Sequence, residues 1–190
     1  MRLGMNSKPD LRRTQRALRR MLAQQVPDAA QAAASHLPAD LRPNVVAGYL
    51  PAGGELDPGP VLKGLQRRGA LLAMPVCSAR DSPLLFRAYG EGDALSPDVM
   101  GMAAPTEAAT VLVPDLLILP LLAFDRRGRR LGQGGGYYDR TLQALRDAGE
   151  VLAVGLAYAG QEVDGVPVDP FDQSLDAILT ETGYILPTRS

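Results

Sequence analysis

Residues 116–145 constrain this chain more than any other stretch. They begin with four consecutive apolar residues, 116–119, a run of the length expected for a buried β-strand. They end in a helical pattern, because Tyr138, Leu142 and Leu145 are spaced four and three residues apart. The connection between strand and helix is rich in glycine and in charge, and its composition indicates what the unit can bind.

The glycine-rich connection has the properties of a phosphate-binding loop. Gly132, Gly134, Gly135 and Gly136 lack a Cβ, so the backbone N–H groups of this segment can turn inward and approach an anion closely. The helix that follows directs its first N–H groups and the positive end of its dipole into the same space. Together these features predict a site for a phosphorylated ligand.

Charged residues surround the loop. Arg129, Arg130 and Arg140 add positive charge, and Asp139 adds a carboxylate that could hold a divalent cation beside bound phosphates. The loop is not a dinucleotide fingerprint, whose third glycine would be Tyr137, and it is not a P-loop, since no Gly-Lys-Ser/Thr triplet follows. The alternative is a flexible linker, but linkers seldom carry paired tyrosines and a charged pair at a helix start.

The same residues resemble a known enzyme family. The 5-formyltetrahydrofolate cyclo-ligases, also called methenyltetrahydrofolate synthetases, lead from an apolar strand through Ala-Phe-Asp, a Gly-x-Arg-Leu-Gly turn and a glycine-rich segment into Tyr-Tyr-Asp-Arg. This chain reproduces that order without a gap at Ala123, Phe124, Asp125, Gly128, Arg129, Arg130, Leu131, Gly132, Gly134, Gly135, Gly136, Tyr137, Tyr138, Asp139 and Arg140. The family's N-terminal Lys-x-x-Leu-Arg pattern is similar to Lys8, Leu11 and Arg12. The resemblance covers residues 8–179.

The resemblance implies an activity, the ATP- and magnesium-dependent conversion of 5-formyltetrahydrofolate to 5,10-methenyltetrahydrofolate, with ATP as co-substrate. It implies that Lys8 and Arg130 are catalytic and that Asp139 and Asp176 bind Mg²⁺. The residues implied to bind ATP are Lys8, Arg12, Arg130, Leu131, Gly132, Gln133, Gly134, Gly135, Gly136, Tyr137 and Tyr138. The residues implied to bind the folate substrate are Leu50, Glu55, Gln133, Gly134, Gly135, Gly136 and Tyr137.

Residues 7–24 are predicted to form a helix. Ser7 is the candidate N-cap, and Pro9 and Asp10 fall in the first turn. Lys8 and Arg12 are four residues apart and therefore lie on one side of the helix, where the resemblance implies that they reach nucleotide phosphates. The predicted apolar face consists of Leu11, Leu18, Met21 and Leu22, and the arginines expected to be solvated are Arg13, Arg16, Arg19 and Arg20.

Residues 45–76 predict the fold class. A strand at 45–50, a helix at 58–68 and a strand at 70–76 form the pattern of a parallel crossover unit. Residues 151–158 and 175–179 supply further strands, and residues 84–89 are either a strand at the sheet edge or an excursion from it. The chain is therefore predicted to be a single α/β domain over residues 1–190, with an open, mostly parallel sheet, helices on both faces and three layers, α/β/α. Ligands bind such sheets at the carboxyl ends of strands, where Glu55 and the glycine loop fall. Residues 90–114 are predicted to be mostly loop.

The chain departs from the family pattern at two positions. Ala104 precedes Pro105 where the family commonly has Glu-Pro, and Glu107 lies nearby. Gln133 stands where relatives often carry tyrosine or arginine. Either Glu107 takes the place of the family's glutamate or the acid is not needed, and the departure at Gln133 bears on substrate affinity rather than on the fold.

Composition narrows the remaining classes. Twenty Lys and Arg against 21 Asp and Glu leave a net charge of −1, which argues against nucleic acid or a membrane as the main partner. No apolar run reaches the roughly 18 residues of a membrane span, and residues 1–7 lack the apolar core of a signal peptide, so we expect a cytoplasmic protein. The length suffices for a complete core, and we expect a monomer. His36 is the only histidine, so a multi-histidine metal site is excluded, and its place at an expected helix end before Leu37 and Pro38 favours a capping or solvated imidazole over a catalytic one. Cys77 is the only cysteine.

Two other functions stay open. The arginine-rich first helix allows a non-catalytic nucleotide- or RNA-binding relative, which would show steeply salt-dependent RNA affinity. A sugar-phosphate isomerase is the third possibility, since some α/β enzymes of that kind hold phosphate on glycine loops. Turnover of a sugar phosphate without ATP would identify it.

Overall fold

The structure of the protein is a computed structural model that describes residues 7–188. The helices are α1 (Lys8–Gln25), α2 (Ala29–Ser35), α3 (Gly59–Arg67) and α4 (Tyr137–Ala148), with a short 3-10 helix at Ala159–Gln161. The strands are β1 (Val45–Ala47), β2 (Leu71–Val76), β3 (Leu85–Ala88), β4 (Leu95–Pro97), β5 (Ala103–Pro105), β6 (Leu116–Pro120), β7 (Ala123–Phe124), β8 (Arg130–Leu131), β9 (Leu152–Leu156), β10 (Ala177–Thr180) and β11 (Gly183–Ile185). Residues 1–6 lie outside the described part. They are most of segment 1–7, which is predicted from the sequence not to be a signal peptide.

Seven of these strands form one sheet in the order β11-β10-β9-β6-β1-β2-β3. The five inner strands are parallel to one another, and β3 and β11 pair antiparallel with them at the two edges. β6 lies at the centre of the sheet and pairs with both β1 and β9. The predicted α/β class with a mostly parallel sheet is confirmed.

Alternating side chains of β6 pack against helices on opposite faces of the sheet. Leu116 and Ile118 are buried in a cluster that includes residues of α2 and α3. Leu117 and Leu119 point the other way, into a cluster with Leu142 of α4. Because successive side chains of a strand face opposite sides, a strand covered by helices on both faces is apolar throughout. This explains the uninterrupted apolar run and gives the three predicted layers.

Helix α1 begins where the sequence predicts, and its buried side adds polar residues to the predicted apolar ones, since Leu11 and Leu22 pack against the core clusters. The Ser7 side chain accepts a hydrogen bond from the Asp10 backbone N–H at 3.4 Å and caps the helix. The most buried residues of α1 are Gln15 and Arg19, whereas Met21 of the predicted apolar face is 46% exposed. The expectation of a solvated Arg19 is therefore wrong, because this side chain has polar partners inside the protein.

The region predicted as loop contains a small hairpin. β4 and β5 pair antiparallel, and the Asp98 carboxylate holds their turn by accepting the backbone N–H groups of Met100 and Met102 at 2.8 and 3.0 Å. These three-residue strands contain alanine and proline, which have low strand propensity, so the sequence offers little signal for them. Within residues 7–188, no helix is long and apolar enough to cross a membrane.

Asp125, in the motif shared with the family, holds a second hairpin in place. Its side chain is 1% exposed and follows β7, which pairs with β8. Oδ1 accepts the backbone N–H groups of Arg127 and Arg129 at 2.9 and 3.2 Å, and Oδ2 accepts that of Val166 at 3.0 Å. Asp125 therefore fixes the turn that leads into Arg130 and the glycine loop.

We expect Asp125→Ala to lower the free energy of unfolding by roughly 3 kcal/mol, because three backbone N–H groups would lose their acceptor in a buried setting. Urea denaturation measures the change. Asp28→Ala is the matched control, since Asp28 is exposed and its side chain makes no capping hydrogen bond. A loss below about 0.5 kcal/mol for Asp125→Ala would contradict the role given to this carboxylate.

Candidate functional site

A cavity of about 1300 Å³ opens at the carboxyl ends of the central strands. Leu50 follows β1, Cys77 follows β2 and Pro120 ends β6, and all three residues line the cavity. Parallel sheets bind ligands at this end, as the sequence analysis predicts. The volume exceeds the roughly 300–1,000 Å³ of an ordinary small-molecule pocket, so two ligands have room to bind side by side.

The glycine loop forms one wall of the cavity and leads directly into α4. Gly134 and Gly136 have φ angles of +109° and +67°, a region that glycine enters without the Cβ clash that other residues meet. Gly136 is the N-cap of α4, and among residues 7–188 no side chain caps the first turn of that helix. The first N–H groups of α4 are therefore left available to an anion in the cavity.

A row of basic side chains on α1 faces this loop. Lys8, Arg12 and Arg16 are spaced four residues apart and lie on one side of the helix. The Arg12 Nε donates to the Gly132 carbonyl oxygen at 3.0 Å, and the Arg16 Nε donates to the Gln133 Oε1 at 2.9 Å. Two arginines of α1 thus fix the position of a loop that has few side chains of its own.

Lys8 lies at the N-terminal end of this row, between two carboxylates. Its Nζ is 2.6 Å from an oxygen of Asp169 and 2.6 Å from an oxygen of Asp172. Burial alone would lower the pKa of Lys8, but the hydrogen bonds to both carboxylates outweigh burial and raise it. Burial alone would raise the pKa of Asp172, but the hydrogen bond from Lys8 outweighs burial and holds the pKa below its ordinary value.

Arg130 supplies a second, more deeply buried cation. Its Nη2 donates to the Asp139 Oδ1 at 2.6 Å, and its Nη1 donates to the Gln173 carbonyl oxygen. Burial lowers the pKa of Arg130, an effect that the neighbouring Asp139 carboxylate partly offsets. Asp139 Oδ1 also accepts the Gln173 backbone N–H at 3.0 Å, which links the start of α4 to the segment that contains Asp172.

The loop after β1 forms another part of the cavity wall. Glu55 receives a hydrogen bond at each carboxylate oxygen, from Arg19 Nη1 to Oε1 at 3.2 Å and from the Ala52 N–H to Oε2 at 3.0 Å. The hydroxyl of Tyr49 donates to the Leu56 carbonyl oxygen across the same loop. The Glu55 carboxylate is therefore held in a fixed position at the cavity wall.

The two tyrosines at the start of α4 lie in different environments. The Arg140 guanidinium lies over the Tyr137 ring, 5.0 Å from its centroid. Tyr138 packs against the core cluster on the α4 face of the sheet, and burial strongly raises the pKa of its hydroxyl. Tyr137 therefore presents a ring at the cavity wall, whereas much of Tyr138 contributes to packing.

The structure brings together all of the residues predicted for the site except one. The predicted residues that line the cavity are Lys8, Arg12, Leu50, Glu55, Arg130, Leu131, Gly132, Gln133, Gly134, Gly135, Gly136, Tyr137, Tyr138 and Asp139. Asp176 is not among the lining residues. Its Oδ2 accepts hydrogen bonds from Arg146 Nη2 and from the Ala153 N–H, each at 2.9 Å.

Several lining residues escaped the sequence analysis. Asp169, Phe171 and Asp172 belong to the segment between β9 and β10, and Arg16 and Arg19 continue the basic row of α1. The spacing of the arginines was a usable signal, since it continues the side of the helix that Lys8 and Arg12 define. Asp172 could have been found from its position in a polar segment that leads into a strand.

The model of the 5-formyltetrahydrofolate cyclo-ligase family matches residues 4–181. The chain belongs to the 5-formyltetrahydrofolate cyclo-ligase family. The 5-formyltetrahydrofolate cyclo-ligase of Escherichia coli (strain K12) is 37% identical over 142 residues, which are 72% of this chain and 78% of that protein. The 5-formyltetrahydrofolate cyclo-ligase of Mycolicibacterium smegmatis is 32% identical over 154 residues, 76% of this chain and 77% of that protein. The chain is accordingly a cyclo-ligase, an enzyme of the ligase class.

Solved structures of cyclo-ligases share the fold. The 5,10-methenyltetrahydrofolate synthetase of Aquifex aeolicus has a TM-score of 0.77 and 26% identity, and the match covers 96% of this chain and 95% of that one. A 5,10-methenyltetrahydrofolate synthetase of Mycoplasma pneumoniae has a TM-score of 0.71 over 92% of this chain and 99% of that one. At 22% identity the second match shows the fold alone.

The two departures from the cyclo-ligase pattern have different surroundings. Ala104 is 1% exposed and pairs with Ser96 in the β4–β5 hairpin. Gln133 lies on the glycine loop, where Arg16 donates to both its side-chain and its backbone oxygen, at 2.9 and 3.4 Å. At this position, therefore, the side chain is held by a neighbouring helix of this chain.

The pairing of Lys8 with Asp172 predicts a pH-dependent contribution to stability. A carboxylate with a lowered pKa stabilises the fold fully above its ordinary pKa of 3.8, and the contribution is lost as the pH falls through the lowered value. Because the pKa of Lys8 is raised, its contribution is fully present below its ordinary pKa of 10.5 and is lost as the pH rises through the raised value. Lys8→Met should lower the free energy of unfolding by about 1 kcal/mol at pH 7, since the pair is partly exposed, and the difference from the wild type should vanish in acid.

Urea denaturation of both proteins from pH 7 to pH 2 measures this difference. Lys63→Met is the matched control, because Lys63 pairs with Glu91 on the surface and should show a change within about 0.5 kcal/mol at every pH. A difference for Lys8→Met that persists unchanged to pH 2 would mean that the carboxylates do not depend on this ammonium group.

Proposed function

We propose that the protein converts 5-formyltetrahydrofolate to 5,10-methenyltetrahydrofolate with ATP as co-substrate and with magnesium. The observation that carries the proposal is the meeting, in one cavity, of a glycine loop at a helix N-terminus with the basic row of α1. Helix N–H groups and arginine side chains together bind polyphosphates. The same cavity carries the Glu55 carboxylate, which suits a ligand with N–H donors such as a reduced folate.

The phosphates would lie between the loop and the basic side chains. Arg12 is within reach of the loop backbone, since a Cβ at Gly134 would lie 3.3 Å from the Arg12 Cζ. Lys8 and Arg130 already bind carboxylates, and a phosphate with its higher charge competes for the same donors. In the proposal these three cations neutralise the charge of the triphosphate, and Lys8 and Arg130 contact the group that is transferred.

Magnesium would be held by carboxylates of the cavity wall. Mg²⁺ in nucleotide sites is bound by one or two protein carboxylates together with phosphate oxygens, and within residues 7–188 no group of three or more His, Cys, Asp or Glu is arranged to hold a metal. Asp139 and Asp172 both line the cavity, and the residue after Asp172 donates to Asp139, so this pair fits the ion. We propose Asp172 in place of Asp176, which lies outside the lining. The ion would supply positive charge beside the phosphates.

The reaction needs phosphorylation because the formyl oxygen is a poor leaving group. The formyl oxygen attacks the γ-phosphorus and ADP leaves, so that the oxygen becomes part of a phosphate ester. Nitrogen 10 of the folate then attacks the formyl carbon and loses its proton. Inorganic phosphate leaves, and the methenyl product is formed. Phosphoryl transfer of this kind requires alignment and positive charge rather than a covalent nucleophile, which is what loop amides and guanidinium groups provide.

The RNA-binding alternative rested on the arginines of the first helix. Arg12, Arg16 and Arg19 make hydrogen bonds within the protein, to Gly132, Gln133 and Glu55 respectively. These internal contacts account for three of the five arginines of α1. No observation in the described residues favours a sugar-phosphate isomerase.

The test is an assay of the purified chain with 5-formyltetrahydrofolate, ATP and magnesium chloride, followed by the absorbance of the methenyl product. We expect turnover that requires both ATP and magnesium and that releases one ADP per product.

Arg12→Met should raise the KM for ATP about tenfold or more, as expected for the loss of a charge-assisted hydrogen bond to phosphate.

Arg13→Met is the matched control on the same helix. Arg13 is exposed, pairs with Asp10 and does not line the cavity, so its removal should change the KM for ATP less than twofold. Folded protein that forms no methenyl product would reject the proposed reaction. Turnover with an unchanged KM for ATP in Arg12→Met would reject only the role of Arg12.

A further inference from the structure

We propose that Arg19 is a positioning residue for the folate, acting through Glu55. The proposal rests on the proposed function, in which Glu55 contacts the folate. Arg19 lies on α1, eleven residues after Lys8 on the same side of the helix, and lines the cavity beside the loop after β1. Its side chain is 3% exposed and its partner Glu55 is 11% exposed, so the pair is removed from bulk water.

Three of the four hydrogen bonds that Arg19 donates go to the loop after β1. Nη1 donates to the Glu55 Oε1 at 3.2 Å, and Nη2 donates to the Gly53 carbonyl oxygen at 3.1 Å and the Ala52 carbonyl oxygen at 3.4 Å. A fourth contact reaches the Leu121 carbonyl oxygen after β6, at 3.4 Å. Arg19 therefore joins three parts of the cavity wall, which are α1, the loop after β1 and the connection after β6.

The buried pair is poorly explained by stability. Two charges removed from water lose hydration that their attraction often does not recover, and apolar replacements of buried ion pairs are frequently neutral or stabilising. In addition, the Arg19 Nε is buried without a hydrogen-bond partner, which adds a cost. An ion pair that costs stability and lies at a ligand cavity is more readily explained by its effect on the orientation of the Glu55 carboxylate.

The geometry leaves Glu55 ready to accept from a ligand. Each carboxylate oxygen can accept about two hydrogen bonds, and within the protein Oε1 receives one from Arg19 and Oε2 one from the Ala52 N–H. The remaining acceptor positions belong to a carboxylate whose orientation is fixed from both sides. Without Arg19 the carboxylate would be held at one oxygen only, and N–H donors of the folate ring would have to order it on binding.

The experiment compares Arg19→Met, Glu55→Gln and the double variant with the wild type and Arg13→Met. Arg19→Met keeps the bulk of the side chain and removes its charge. We expect the KM for 5-formyltetrahydrofolate to rise about tenfold or more in Arg19→Met, while the KM for ATP changes less than twofold. Because both residues act as one unit, the double variant should be within about twofold of the worse single variant.

Other outcomes overturn the proposal. An unchanged KM for the folate, an equal rise in both KM values, or full multiplication of the two effects in the double variant would each indicate a structural role only. If Arg19→Met does not fold, Arg19→Lys carries the test, with a selective rise in the folate KM expected and a non-selective change contradicting it. Inactive wild type and inactive Arg13→Met would instead reject the proposed reaction.

Discussion

The inward-facing basic side of α1 is the constraint on which the site depends. A loop made largely of glycine has the greatest conformational freedom of any sequence and cannot fix its own shape. Here Arg12 and Arg16 bind the loop at Gly132 and Gln133, and Arg19 binds the loop after β1. One helix therefore positions both walls of the cavity, and the glycines can expose their backbone N–H groups without side chains of their own.

The sheet determines where these parts meet. β6 is buried on both faces and pairs with β1 and β9, so the carboxyl ends of the central strands form a rigid floor under the cavity. The connections that leave this floor carry most of the site residues. Their cations are neutralised by neighbouring carboxylates, Lys8 by Asp169 and Asp172, and Arg130 by Asp139. Such pairs keep charge in place, and in the proposed reaction an incoming polyphosphate would exchange one anionic partner for another.

Much of the fold could be predicted from the sequence because strong local signals agree there, and most of the residues that line the cavity were expected from the resemblance. The apolar run at residues 116–119 favours a buried strand, and the glycine loop before Tyr137 favours a helix start with N–H groups available to an anion. Arg19 was mispredicted because a polarity pattern assumes that charge faces water, and it cannot register a carboxylate 36 residues away that makes burial possible. The β4–β5 hairpin was missed because Asp98, rather than strand propensity, holds it.

The two metal candidates show a different limit. Asp176 directly precedes β10 and bonds to the Ala153 N–H near the start of β9, so it lies at the amino ends of parallel strands, whereas the cavity lies at the carboxyl ends. Asp172 lies only four residues earlier, in the segment that runs between these two ends, and reaches the cavity. Resemblance of residue types along the chain does not fix which side of the sheet a given acid occupies, and only the three-dimensional path separates them.

Calorimetric titration of the folded protein with ATP in the presence of magnesium tests the central claim most directly, because it measures phosphate binding apart from chemistry. One ATP should bind per chain, adenosine should not bind under the same conditions, and the affinity should fall as salt is added, since the contacts are largely ionic. Absence of any binding heat from ATP at several temperatures, or equal affinity for adenosine, would contradict a site built from loop amides and the basic side of α1.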